Sequence, residues 1–215
     1  MVLSNRSYFI FIYFVFNYFL GLSFYGQTKL ILRPNGESGK DCVVASSVED
    51  KSFPRKEELL ASAWTSSGVP TFIRGLIEFD LSTIPQGSKV LHAYLSLYSY
   101  RSRSNGNHST SGGPNECVLR RVVEEWSPNT ATWNNQPSST EQNQVFLIES
   151  IQSIEDYIDI DVTRLVQDMI NYPSESFGFL FKLDKEKYYR RMIFASSKNR
   201  KSKLHPKLEV IYSEK

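Results

Sequence analysis

What most constrains this chain is a two-residue hydrophobic period that recurs along most of its length. In TFIRGLIEFDL, Phe72, Arg74, Leu76 and Glu78 fall on one parity and Ile73, Ile77 and Phe79 on the other. In KVLHAYLSLYSY, Leu91, Ala93, Leu95 and Leu97 alternate with Val90, His92, Tyr94, Ser96, Tyr98 and Tyr100, and the aliphatic parity is the expected core face. Successive side chains of a strand point to opposite faces, so this alternation marks half-buried β-strands. TKLILR, CVVAS, CVLRRVV, NQVFLIES, DYIDIDV, FGFLFKL, RRMIFASS and KLEVIY read as further strands, divided by turn-formers such as PNGESGKD and IPQGS. TRLVQDMINYP instead sets Leu165, Val166, Met169 and Ile170 on one helical face, with Thr163 or Asp161 to cap it and Pro173 to stop it. PRKEELLASAW fits a helical turn by composition and a strand by its surroundings. The expected fold is an all-β sandwich of about ten strands with one short helix.

The first 27 residues stand apart. Arg6 precedes an aromatic-rich apolar run from Tyr8 to Leu20, and Gly26-Gln27 is a plausible cleavage point. That is the layout of a secretory signal peptide. A membrane anchor fits less well, because Asn17 interrupts a run short of the ~20 residues a spanning helix needs. The expectation is therefore a single domain over residues 28–215, exported to the periplasm, cell surface or medium, with no membrane attachment after cleavage. Export permits a disulfide between Cys42 and Cys117, which the chain-entropy model values on the order of 4 kcal/mol. Two buried thiols remain the equal alternative.

The formal charge of +2 is too small to imply a polyanionic partner, but its distribution is uneven. Eight acids and one arginine lie between Glu141 and Glu175, whereas ten basic residues and two acids lie between Lys182 and Lys207. The basic block interleaves Tyr188 and Tyr189 with Arg190 and Arg191. Rings stack on sugar faces and guanidinium forks pair with carboxylates, so an anionic polysaccharide suits this mixture. Nucleic acid would suit it too, but export argues against it. A solvated loop is the plain alternative. Tyr98 and Tyr100, with Arg101 and Arg103 at the start of the polar, Gly-rich stretch RSRSNGNHSTSGGPNE, form a second candidate surface.

RGLIEFDLSTIPQGSKVLHAYLSLY resembles the DNRLRE domain, a family grouped with alginate-associated carbohydrate-binding modules, at Arg74, Phe79 to Ser82, Pro85, Gly87, Ala93, Leu95 and Leu97. Trp126, Thr132, Trp133, Asn134, Asn135 and Pro137 match its Trp…Thr-Trp-Asn-Asn-x-Pro signature, and Asp161 to Val166 match its Asp-Val-Thr segment. The resemblance implies a jelly-roll β-sandwich, an accessory module of secreted bacterial proteins that binds polysaccharide without catalysis. It departs from the family at SVEDKSFPRKEELL, which lacks an Asn-Tyr-Gly turn often seen there. A fainter similarity to the transforming-growth-factor-β propeptide implies, as the rival, a protein-interaction or scaffold domain with a partner at the cell surface.

No nucleophile elbow or His-Glu-x-x-His motif is present, and the paired acids Glu124/Glu125 and Asp159/Asp161 are unsupported by any wider constellation, so no catalytic residue is assigned. No cofactor is expected. A structural Ca²⁺ could draw on Asp41, Asp80, Asp159 or Asp161, but their spacing fits no defined ligand set. Structural roles are expected instead for Arg74, Asp80, Asp161, Asn134 and Asn135, and for Trp126 and Trp133 as plugs closing the sandwich. On that reading Trp133→Ala would unfold the domain.

Overall fold

The computed structural model describes residues 26–35 and 39–214. The expected leader lies outside the described residues apart from Gly26 and Gln27. Eleven strands and one α-helix form two sheets. The strands are β1 (Gln27–Leu32), β2 (Gly39–Ala45), β3 (Glu58–Ser66), β4 (Val69–Phe79), β5 (Lys89–Leu97), β6 (Cys117–Val122), β7 (Ser139–Leu147), β8 (Tyr157–Asp161), β9 (Phe179–Leu183), β10 (Arg190–Ala195) and β11 (Lys207–Ser213). The helix, α1, spans Thr163–Asn171. The smaller sheet runs β1-β11-β5-β8, and the larger runs β10-β3-β4-β9-β6-β7, with β2 also paired to β4. The all-β sandwich is thus the observed fold.

Between the sheets, Ala93, Leu95, Leu97 and Val210 of the smaller one meet Leu119, Phe179, Phe181 and Phe194 of the larger. Each of these side chains larger than alanine contributes roughly 1.5–3 kcal/mol on leaving water. The amphipathic face of α1 packs Leu165, Val166, Met169 and Ile170 into the same core. Asp161 accepts the Thr163 amide at 2.9 Å at the start of the helix, while the Thr163 hydroxyl accepts the Ala93 amide at 2.9 Å and ties helix to sheet.

One reading left open by the sequence is resolved, and one needs correction. PRKEELLASAW is strand from Glu58 onward, because β3 pairs with both β4 and β10 and buries Leu59, Ala61 and Ala63. Tertiary pairing overrides the helical preference of Glu-Glu-Leu-Leu-Ala. In β5, alternation holds for Ala93, Leu95 and Leu97, but Val90 rather than Leu91 enters the core. The register with β11 jumps there, from His92↔Ile211 to Val90↔Tyr212. A bulge adds a residue and moves everything beyond it to the other face.

A second apolar cluster lies on the opposite side of the larger sheet. Cys42, Val44, Leu76, Val122 and Leu180 are covered there by Trp126 and Ala131 of the 124–137 connection. Cys117 belongs to the core between the sheets, so the two cysteines point into different clusters and both are free thiols. Burial pushes the Cys42 thiol up to about 12, and raises Cys117 well above its ordinary value. At the margin of the smaller sheet, β1 and β11 pair from Gln27↔Ser213 to Leu32↔Leu208.

Candidate functional site

The β9–β10 turn places Tyr188 and Tyr189 on the surface, 41% and 46% exposed. Both ends of this turn are fixed. Glu186 receives two hydrogen bonds from the Arg74 guanidinium of β4, each 2.8 Å, and Arg74 also donates to Gln136 at 2.9 Å. On the other side, the Gly-rich 101–116 stretch is clamped along β10. Ser109 and Arg191 exchange backbone hydrogen bonds of 2.9 Å, the Gly112 amide donates to the Tyr189 carbonyl at 2.9 Å, and Arg190 donates twice to the Gly112 carbonyl. A Cβ at Gly112 would collide with the Tyr188 carbonyl, so only glycine allows this approach. Tyr189 itself is held at φ 65°, in the left-handed region that costs a non-glycine residue about 1–2 kcal/mol.

The strained turn completes a run of rings. Trp133 stacks with Phe72 at 6.5 Å between centroids, Phe72 with Tyr188 at 5.8 Å, and Tyr189 meets Trp64 edge-on at 5.2 Å. Arg74 lies 4.6 Å from the Trp133 ring and Arg191 4.6 Å from the Trp64 ring. Burial pulls the Arg191 pKa down from its ordinary value, and the guanidinium donates to the Asn107 carbonyl.

Trp64 and Arg191 form one end of a cavity of about 630 Å³, whose polar wall includes Ser62, Thr71, Ser104 and Asn105. A second cavity of about 490 Å³ adjoins it, since Lys56 and Ser104 line both. This second cavity is basic: Arg55, Lys56, Arg103, Arg200 and Lys201 face it against Glu57 and Glu58. Glu57 is engaged by Arg200 at 3.3 Å and by the Tyr100 hydroxyl at 3.0 Å, and Glu58 by Lys56 at 3.5 Å. Among the described residues no carboxylate lies within 4 Å of Arg55, Arg103 or Lys201. The paired cavities therefore form a groove with a ring and a guanidinium at one end and unpaired cations at the other.

The two surfaces expected from sequence meet at this groove only in part. Tyr100 and Arg103 line the basic cavity, Arg191 lines its neighbour, and Tyr189 touches Trp64. Tyr188 extends the ring row. Arg190 is turned away, its donors taken by Gly112, and Arg101 is exposed without lining either cavity. Tyr98 follows the end of β5, half-buried, with Arg33 5.7 Å from its ring. Missing from the sequence reading were Trp64, which looks like an ordinary strand end, and Arg55; Arg200 and Lys201 enter it only as members of the basic block, and three-dimensional proximity gathers them with Arg55 and Arg103.

The remaining assigned residues lie outside both cavities. Trp126 is buried and donates its indole N–H to the Phe177 carbonyl at 2.8 Å, while Trp133 is only half-buried at the margin of the second cluster. Asn135 accepts from Thr132 and donates to the Thr130 carbonyl, and Asn134 joins the loop to Asp50 and Glu49. The supposed metal ligands do not gather. Asp41 is buried against Ser197, Asp80 accepts the Ser82 amide, Asp159 meets Ser96 and Asp161 holds Thr163. Among the described residues no three His, Cys, Asp or Glu side chains approach one another closely enough to hold a metal ion, so this set does not fit Ca²⁺. Of the paired acids, Glu124 accepts the Ser138 amide. No helix of the described residues is long and apolar enough to cross a membrane.

No curated protein matches the chain. The family model that does match is that of carbohydrate-binding module family 96, over residues 36–212, a span that takes in the sandwich from β2 to β11 and every residue of the groove. The chain belongs to carbohydrate-binding module family 96.

Proposed function

We propose that the domain binds an acidic polysaccharide, of the alginate or pectate kind, in the groove between Trp64 and the basic cavity, and that it does so without catalysis. The observation that carries this reading is the junction of the two cavities at Lys56 and Ser104. A sugar ring laid against Trp64 and Tyr189 sets the chain's next units beside Arg55, Arg103 and Lys201, cations that have no carboxylate of their own within 4 Å. Family membership supports a carbohydrate ligand, and the surplus of positive charge in the groove supports an anionic one. The DNRLRE likeness supports the same choice, and the leader-like N-terminus supports a role outside the cell.

Calorimetry against alginate, pectate and a neutral β-glucan tests the reading. The wild-type protein is expected to bind an acidic chain and to lose affinity as salt rises. Charge-assisted contacts contribute about 1.5–3 kcal/mol each, so the triple replacement of Arg55, Arg103 and Lys201 by alanine should weaken binding at least ~100-fold. Equal affinity for the neutral glucan, or no effect of the triple replacement, would sink the proposal.

A further inference from the structure

The outer side of β4, β9 and β6 carries a second set of cations, away from both cavities. Phe179, Phe181 and Leu119 face the core, so Lys182 and Arg120 project from the opposite side, as does Arg74. Arg74 is closed by Glu186 at 2.8 Å, and Arg120 by Glu141 at 2.7 Å and Gln144 at 2.9 Å. Lys182 between them is half-buried, yet among the described residues its ammonium makes no hydrogen bond and has no carboxylate within 4 Å. Burial lowers its pKa, and Arg74 and Arg120 lower it further against Glu186 and Asp184. A partly desolvated ammonium beside two guanidiniums is unfavourable in the free protein.

Aromatic rings flank Lys182 on the same side of the sheet. Lys182 is opposite Val118, and Val118 is opposite Phe146 of the edge strand β7, so the Phe146 ring stands on the same side. It is 58% exposed. At the other end of the row, beyond Arg74, are the exposed Tyr188 ring and the half-buried Trp133. From β4 to β7 is three strand spacings, about 14 Å, which a short oligosaccharide spans. Rings at both ends and an unpaired cation in the middle make a strip across the sheet.

We infer that this strip is a second binding site for a carboxylate-bearing sugar chain, with Lys182 taking a carboxylate and Phe146 a sugar face. The inference rests on the reading of the domain as an acidic-glycan binder. With Tyr188 and Tyr189 adjacent in the β9–β10 turn, one long chain can occupy groove and strip together, and the second contact then acts at high local concentration.

Lys182→Met and Phe146→Ala separate the two sites when titrated with a long pectate or alginate chain beside the triple groove variant. Each is expected to weaken binding of the long chain, Lys182→Met by roughly tenfold, and to lower the number of sites per domain on a short oligosaccharide of the same acid. Because the Lys182 ammonium has no hydrogen bond or close ion pair to lose, and its burial opposes its charge, the thermal midpoint of Lys182→Met should stay level or rise. Unchanged affinity and stoichiometry in both variants, with binding lost in the groove variant, overturns the strip and leaves the groove standing. Binding lost in Lys182→Met and retained in the groove variant supports the strip and overturns the groove. A wild-type protein that binds neither acid overturns both.

Discussion

The 124–137 connection and the β9–β10 turn are both irregular, aromatic-rich segments seated on the larger sheet, and they use their rings in opposite ways. In the first, Trp126 is sunk into an apolar cluster with its N–H bonded to Phe177, and the asparagines bond within the loop or to the 49–50 backbone and side chain. Its polar groups are spent on holding the loop. In the second, Glu186, Arg190 and Gly112 supply the anchoring bonds, and Tyr188 and Tyr189 are left exposed. Aromatic content therefore does not mark a ligand site. What differs is whether the rings are buried in the anchoring of the segment, as Trp126 is, or left at the surface, as Tyr188 and Tyr189 are.

Four substitutions break or sharpen that contrast. Trp126→Ala should have the largest effect, removing about 3–5 kcal/mol of stability, as truncation of a buried aromatic does. Chemical denaturation measures it, and a loss below 1 kcal/mol would remove the distinction between the two segments. Trp133→Ala should cost less, roughly 2 kcal/mol, because half of its ring is already open beside Arg74. The same denaturation series decides whether it unfolds the domain, as sequence alone suggests. Tyr189→Gly should change stability by no more than about 1 kcal/mol, since relief of the left-handed backbone offsets the lost contact with Trp64. Its glycan affinity should nonetheless fall, and a glycine variant that binds as tightly as wild type would deny the turn its role.

The smallest effect concerns pH. His108 fastens the 101–116 stretch, accepting the Ile193 amide at Nδ1 at 3.0 Å and donating from Nε2 to the Glu155 carbonyl at 2.9 Å. Burial holds its pKa below the ordinary 6.5. The unfolded chain takes up a proton near that value and the native one does not, so this contribution is full above pH 6.5 and declines as pH falls toward the lowered pKa. His108→Gln should flatten the drop in melting temperature between pH 7 and 5. Asp41 and Glu78, whose pKa values burial raises, are common to both proteins and cancel in the comparison. An identical pH profile for the two proteins would count against a lowered pKa at His108.

Strand and helix positions were legible because burial on one face imposes a period, and α1 and most strands follow it. The bulge beside Leu91 was not, since it is set by the register with β11, more than a hundred residues away in the chain. The site divides in the same manner. Tyr188, Tyr189 and Arg191 could be named from a local mixture of rings and charge. Arg190, next in the same run, has an identical local signature, yet its donors go to Gly112. Both arginines bond the 101–116 loop, Arg190 to Gly112 and Arg191 to Asn107, and which of the two also lines the cavity depends on that distant loop, which no local pattern encodes.

The pairing of Gln27 with Ser213 has a consequence for how such a domain can be joined to others. Polypeptide attached ahead of β1 or after β11 leaves from one corner of the smaller sheet, so the domain can hang from a host as an inserted loop and does not need to serve as a link in a row. Circular permutation is the direct trial. Joining the two ends by a short linker and opening the chain within the exposed β7–β8 connection should preserve the fold, with the groove still facing outward.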